Sequence, residues 1–158
     1  MLVHFAIDNG AGFDEPRLGA LTQFWLEKRG NRWLPSRSDF DPLELREFLG
    51  DLYLVDALEW PKRLRFRLVG TNICKFTGRD VTNRYFDEIY RGAVLRDAMR
   101  AQGRAIETAG PARFTGAARL AEKVLIDCEA AVLPLSHDQV RVDMLLCMMV
   151  FGQRRYDL

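Results

Sequence analysis

The stretch Val140-Arg141-Val142-Asp143-Met144-Leu145-Leu146-Cys147-Met148-Met149-Val150-Phe151 decides the fold class. Its first half alternates, with Val140, Val142 and Met144 on one side and Arg141 and Asp143 on the other, the period of a strand. From Leu145 onward both sides are apolar, as in a strand covered on both faces. The strictly apolar run from Met144 to Phe151 is far shorter than the ~20 residues of a membrane span. A sheet with helical cover on each face is therefore expected. Val142 and Met144 are expected to look inward, while the outward set Leu145, Cys147 and Met149 needs a lid.

The remaining strands lie on either side of this one in a readable order. Ser136-His137-Asp138-Gln139 makes a turn before it, preceded by strand-like stretches at 126–135 and 112–120. Gly110-Pro111 ends a long helix carrying Val94, Leu95, Ala98, Met99 and Ile106. Shorter helical pieces are expected at 73–77 and 85–90. Residues 52–58 and 64–70 read as a hairpin turning around Trp60-Pro61-Lys62-Arg63. With Glu59 opposite Leu64, Asp56 falls opposite Arg67, and Tyr53, Val55 and Ala57 share a face with Leu64, Phe66 and Leu68.

Toward the N-terminus, Asp14 is the expected cap of a helix with Pro16 in its first turn and Gly30 as its stop. Its apolar stripe holds Leu18, Leu21, Phe24, Trp25 and Leu26, which makes it the natural lid for Leu145, Cys147 and Met149, within one chain or across a dimer. Leu21, Phe24 and Trp25 are thus the candidate partner-binding residues. A second helix is announced at Phe40-Asp41-Pro42-Leu43-Glu44-Leu45 by a cap, a proline at the first position, a capping box and a hydrophobic staple. Residues 1–13 read as a flexible leader, 14–151 as one domain and 152–158 as a polar tail.

Helix, two strands, short helices and three strands is the element order of a PAS domain, and the wording agrees. Trp33-Leu34-Pro35-Ser36-Arg37-Ser38-Asp39, Leu54-Val55-Asp56, Phe66-Arg67-Leu68-Val69-Gly70-Thr71, Phe76-Thr77-Gly78-Arg79-Asp80, Leu133-Pro134-Leu135-Ser136 and Val142-Asp143-Met144 resemble the stand-alone PAS-like family found mainly in alphaproteobacteria. The resemblance spans about residues 18–150. It implies an α+β fold, a five-stranded antiparallel sheet with helices over one face enclosing a ligand pocket and an N-terminal helix on the other. It also implies a sensory or protein-interaction module, with dimerisation common in the superfamily. Phe66, Phe76, Phe86, Met99 and Met144 are the candidate pocket residues.

Composition narrows the chemistry. The 23 basic and 22 acidic residues nearly cancel and interleave, so no basic footprint for nucleic acid is present. The start of the chain lacks the charged-then-apolar pattern of a signal peptide, and a cytoplasmic protein is expected. Cys74, Cys128 and Cys147 stand far apart without metal-ligand spacing, and read as reduced thiols. No cysteine occupies 79–87, where a flavin photosensor of this superfamily places its reactive thiol. His4, in the leader, and His137, in a turn, are poorly placed as haem ligands, which leaves a Cys or Met ligand, with Met99 on a helix expected to line the pocket. Phosphate-loop, nucleophile-elbow and helical His-pair motifs are all missing, so no catalytic residue and no cofactor is expected.

One polar set stands out. Asp56, Arg67 and Asp143 fall on one face if the last strand lies beside the first, either as a salt bridge fixing register or with Arg67 meeting the carboxylate of a ligand or partner. The expected function is a non-enzymatic PAS-type regulatory module acting through protein contacts with a signalling partner or a second copy, tuned by a small apolar ligand. A small-molecule or haem sensor is the alternative, and a structural interaction protein with a filled core is a third reading.

Overall fold

β5 (Val124–Leu135) and β6 (Met144–Tyr156) carry the longest apolar runs and pair antiparallel at the centre of the sheet, from Leu135 opposite Met144 to Val124 opposite Tyr156. The computed structural model describes residues 2–121 and 124–156. On the outer side of β5 lies β4 (Ala112–Ala121), and beyond it β1 (Leu2–Asp8). On the outer side of β6 lie β2 (Leu52–Asp56) and then β3 (Arg65–Val69). The order is β1-β4-β5-β6-β2-β3, antiparallel throughout. Among the described residues four α-helices accompany it: α1 (Pro16–Arg29), α2 (Thr71–Thr77), α3 (Phe86–Ile89) and α4 (Gly92–Thr108).

The α+β class and the antiparallel sheet stand as expected, with one more strand than the five implied. That strand is β1, so the stretch expected as a flexible leader holds seven sheet residues. Its pairing is backbone bonding to an open edge, which needs no strong side-chain pattern. Ladder bonding also carries β6 past Phe151 into the expected polar tail, because β5 extends far enough to pair with it as far as Tyr156.

Side chains directly opposite one another on antiparallel strands share a face, and faces alternate. Ala130, Val132, Cys147 and Met149 therefore point one way, and Glu129, Ala131, Leu133, Leu146 and Met148 the other. The first set meets the α2–α4 layer, since the Cys147 thiol donates to Gln102 Oε1 of α4 at 3.5 Å. The second set meets α1, since the Glu129 carboxylate accepts from the backbone N–H of Asp14 and of Glu15 at 2.9 and 2.8 Å. So α1 does cover the sheet face opposite the other helices, but Leu145, Cys147 and Met149 are not beneath it. The error in parity has a local cause. Residues 136–143 are a loop fastened by Asp138, whose Oδ1 accepts from Val140 N and Arg141 N, and the strand begins only at Met144. The alternation of Val140, Val142 and Met144 is not a strand face.

In α1, Glu15 rather than Asp14 is the N-cap, accepting from Arg17 N, with Pro16 at the first position and Gly30 at the C-terminus in a positive-φ conformation. Leu18, Leu21 and Trp25, spaced three and four apart, are fully buried. The Trp25 indole donates to Pro134 O at 2.9 Å, a carbonyl beyond the end of the β4 pairing, which stops at Ala112 opposite Val132. Leu21 and Trp25 are consequently used within the chain itself, while half-buried Phe24 meets Phe40 edge-on at 5.7 Å. The helix announced at 40–45 does not form. Asp41 Oδ1 accepts from Leu43 N as a cap should, and Phe40 and Leu45 are buried as a staple should be. The chain nevertheless continues as successive turns to Phe48, because tertiary burial of the staple pair outweighs local propensity.

The β2–β3 hairpin is shifted from the expected register. Asp56 pairs with Arg65 and bonds it at 2.6 Å, while Leu54 faces Leu68 and Val55 faces Phe66. Arg67 is the extra residue of that bulge and is exposed. Asp143 turns to accept from His137 N at 2.7 Å. The predicted Asp56–Arg67–Asp143 grouping is therefore absent, and Asp56 has Arg65 as its partner.

Beyond β3 the backbone passes close to itself. A Cβ on Gly70 would lie 2.4 Å from Gly50 O, whereas one on Gly50 would meet the end of the Asn72 side chain at 2.8 Å. Backbone cannot step aside as an amide side chain can. Gly70→Ala is expected to cost about 1–3 kcal/mol or more by overpacking, and Gly50→Ala distinctly less. Equal losses in urea unfolding would contradict this account.

Candidate functional site

Between the sheet and the α2–α4 layer lies a cavity of about 380 Å³. Its wall on the sheet side is Tyr53, Phe66, Val69, Phe114, Met149 and Phe151, and helices and loops supply Ile73, Phe76, Phe86 and the inner side of α4. Phe66 stacks on Phe86 with ring centroids 4.3 Å apart, and Phe76 on Phe151 at 4.2 Å. The α4 residues facing the space are Val94, Asp97, Ala98, Ala101 and Gln102, the three-and-four spacing of one helix side. The small side chains of Ala98 and Ala101 leave room at this side of the helix. The volume suits a small organic molecule, and the mostly apolar lining with a few polar groups is the usual character of such sites.

Polar groups occupy two places on the lining. At the buried end, Gln102 Nε2 donates to Tyr53 Oη at 3.1 Å while Gln102 Oε1 accepts from Cys147. Burial pushes the Tyr53 phenol well above its ordinary range and likewise raises the Cys147 thiol, so both stay neutral. Arg79, exposed, and Asp97 belong to the more open part of the lining. Asp97 Oδ1 is 3.6 Å from Arg100.

Of the residues expected in the pocket, Phe66, Phe76 and Phe86 line it. Met99 does not: it packs half-buried against the core beside that side of α4. Met144 points to the opposite sheet face by the alternation of β6, and Arg67 is exposed on the bulge. Tyr53, Gln102, Phe114, Met149 and Phe151 went unnoticed as lining residues. Gln102 had a signal, a polar side chain in register with Val94, Ala98 and Ala101.

The profile of the PAS domain family matches residues 13–150. The chain belongs to the PAS domain family. No curated protein and no solved structure matches it.

The family is one of sensory and regulatory modules, and several sequence segments characteristic of this PAS domain have structural duties. The Leu34-Pro35 segment docks on the end of β5 through Ser136 N to Pro35 O at 2.9 Å. Gln139 holds Leu34 by accepting from its N–H and donating to its carbonyl. In Thr77-Gly78-Arg79-Asp80, the Thr77 hydroxyl bonds Ile73 O and Arg79 O, Gly78 ends α2 at φ 79°, and Asp80 takes Thr82 N and Oγ1. That turn places Arg79 at the cavity.

Cys74 lies in α2, before Gly78, with Sγ 3.9 Å from Val69 O. His4 lies in the edge strand β1, not in a loop, and His137 in the 136–143 loop. Among the described residues no group of three His, Cys, Asp or Glu is arranged to hold a metal ion, and no helix is long and apolar enough to cross a membrane.

The buried thiols predict alkaline sensitivity. Burial, with the Asp127 charge, pushes Cys128 up to about 11 from an ordinary value of 9.0. The unfolded chain then releases a proton that the native state keeps, so this contribution to stability is complete below pH 9 and is lost as pH rises toward 11. Cys128→Ala should flatten the fall in denaturation midpoint over that window. An unchanged slope would remove the thiol from the account.

Proposed function

We propose that this PAS domain is a non-catalytic regulatory module in which a small, mainly apolar molecule in the cavity alters contacts with a protein partner or a second copy of the chain. The supporting observation is the cavity itself, aromatic-walled, with the neutral Tyr53–Gln102–Cys147 chain at its end. β5 and β6 offer the route outward. Val132 and Cys147 face the cavity layer while their neighbours Leu133 and Leu146 face α1, so a shift in strand position reaches both. A ligand works this way only by binding two arrangements unequally. The runner-up, a coloured-cofactor sensor, loses its proposed Met99 ligand because Met99 lies outside the lining.

The test is titration with phenylbutanol, followed by hydrogen exchange and calorimetry. Binding is expected, with changed protection in α4 and in α1, and Ala98→Phe should abolish both by filling the space. Binding that Ala98→Phe leaves intact would overturn the cavity reading. Altered protection confined to α4 would overturn the route to α1, and a stoichiometric absorption band on the purified protein would favour the cofactor sensor.

A further inference from the structure

The cavity lining is not electrically neutral in its free groups. Asp97, the acid on the lining, has Arg100 one helical turn away, whereas the Arg79 guanidinium makes no ion pair or hydrogen bond with any described residue. Tyr90 also belongs to this lining, and its hydroxyl has no hydrogen-bond partner among the described residues. Both residues line the same cavity, and while burial raises the Tyr90 phenol, the Arg79 charge partly offsets that rise. A planar cationic donor and a phenolic donor beside an aromatic-walled space form a recognition pattern for a carboxylate on an apolar body.

We infer that the cavity takes a small amphipathic monocarboxylate, its apolar body against Phe66, Phe114 and Met149 and its carboxylate on the Arg79 guanidinium and the Tyr90 hydroxyl. This rests on the cavity being a ligand site, as proposed above, and adds the chemical class of the ligand. It also assigns the carboxylate to Arg79 rather than to Arg67, which the β3 bulge turns into solvent. The buried end suits no charge, since Tyr53 and Gln102 are neutral and already bonded to one another. The ionic head therefore sits at the Arg79 end.

The experiment compares phenylbutyrate, phenylbutanol and phenylbutylamine, which share one body and differ in head group, by calorimetric titration of the wild type, Arg79→Gln and Ala98→Phe. The acid is expected to bind about five- to tenfold more tightly than the alcohol, and the amine most weakly, with the preference shrinking as salt is raised. Arg79→Gln, at an exposed position, should erase the acid preference while leaving alcohol affinity within about twofold. An alcohol or amine that binds as tightly as the acid, or a preference that survives Arg79→Gln, overturns the inference and leaves the cavity reading standing. If none of the three binds, or if Ala98→Phe binds all three as the wild type does, both fall together.

Discussion

Trp25→Ala should lower the unfolding free energy by about 3–5 kcal/mol, a large share of the stability of a domain this size. The indole is fully buried, so truncation removes its transfer free energy and leaves a void under α1. It also orphans the Pro134 carbonyl. The β4 pairing ends two residues short of Pro134, and the indole N–H supplies a donor there at 2.9 Å. Trp25→Phe weighs the two effects against each other, because it keeps most of the apolar volume while losing the donor and part of the ring, with an expected cost of about 1–2 kcal/mol. Urea unfolding of both variants gives the comparison. A Trp25→Ala protein within about 1 kcal/mol of wild type would mean that α1 is not anchored through this residue.

The same region shows what the sequence could and could not convey. The stripe Leu18, Leu21, Trp25 was legible because three-and-four spacing depends on one helix alone. Which sheet face it covers was not, because that depends on where β6 starts. The four alternating residues upstream of Met144, Val140 to Asp143, belong to a loop whose backbone N–H groups are held by Asp138, and a polar-apolar alternation in a loop is indistinguishable from one in a strand. The misplacement of Arg67 has a similar origin. A bulge moves one residue out of a ladder, and nothing in Phe66-Arg67-Leu68 signals it. Its consequence is to exchange Arg67 for Arg65 as the partner of Asp56.

Half of the cavity was visible for a related reason. Phe66, Phe76 and Phe86 are large aromatic residues that any pocket reading would select. The side of α4 that makes room is instead marked by small residues, Ala98 and Ala101, and by Gln102. Reading for bulk favours Met99, one position away, which packs beside the space and not in it. An opening inside a protein is set by what is missing from a helix side, so small residues at helical spacing next to a lone polar group are the better signal.

Among the described residues the most extended charge network joins distant parts of the chain, and no local motif marks it. Arg113 Nε bonds Glu129 Oε2 at 2.6 Å, its other nitrogens reach Asp8 at 2.9 Å and Asp14 at 3.3 Å, and Glu129 in turn holds the backbone N–H groups of Asp14 and Glu15. These contacts join β1, β4, β5 and the start of α1, from residues over a hundred positions apart. Asp8 and Asp14 are exposed and contribute little. The Glu129 side chain is only 9% exposed, and among the described residues Arg113 is the cation paired with it. Arg113→Met should therefore cost about 3–5 kcal/mol, the loss expected when one member of a buried pair is removed. Glu129→Gln should cost about 1–2 kcal/mol, since Arg113 keeps two other carboxylates while one capping acceptor is lost. In the double variant no buried carboxylate remains to be left without its cation. Its cost should fall below the sum of the two by at least about 1 kcal/mol, a coupling that a double-mutant cycle in urea measures directly. Strict additivity, or an Arg113→Met protein as stable as the wild type, would show that α1 is seated on the sheet by its apolar stripe alone.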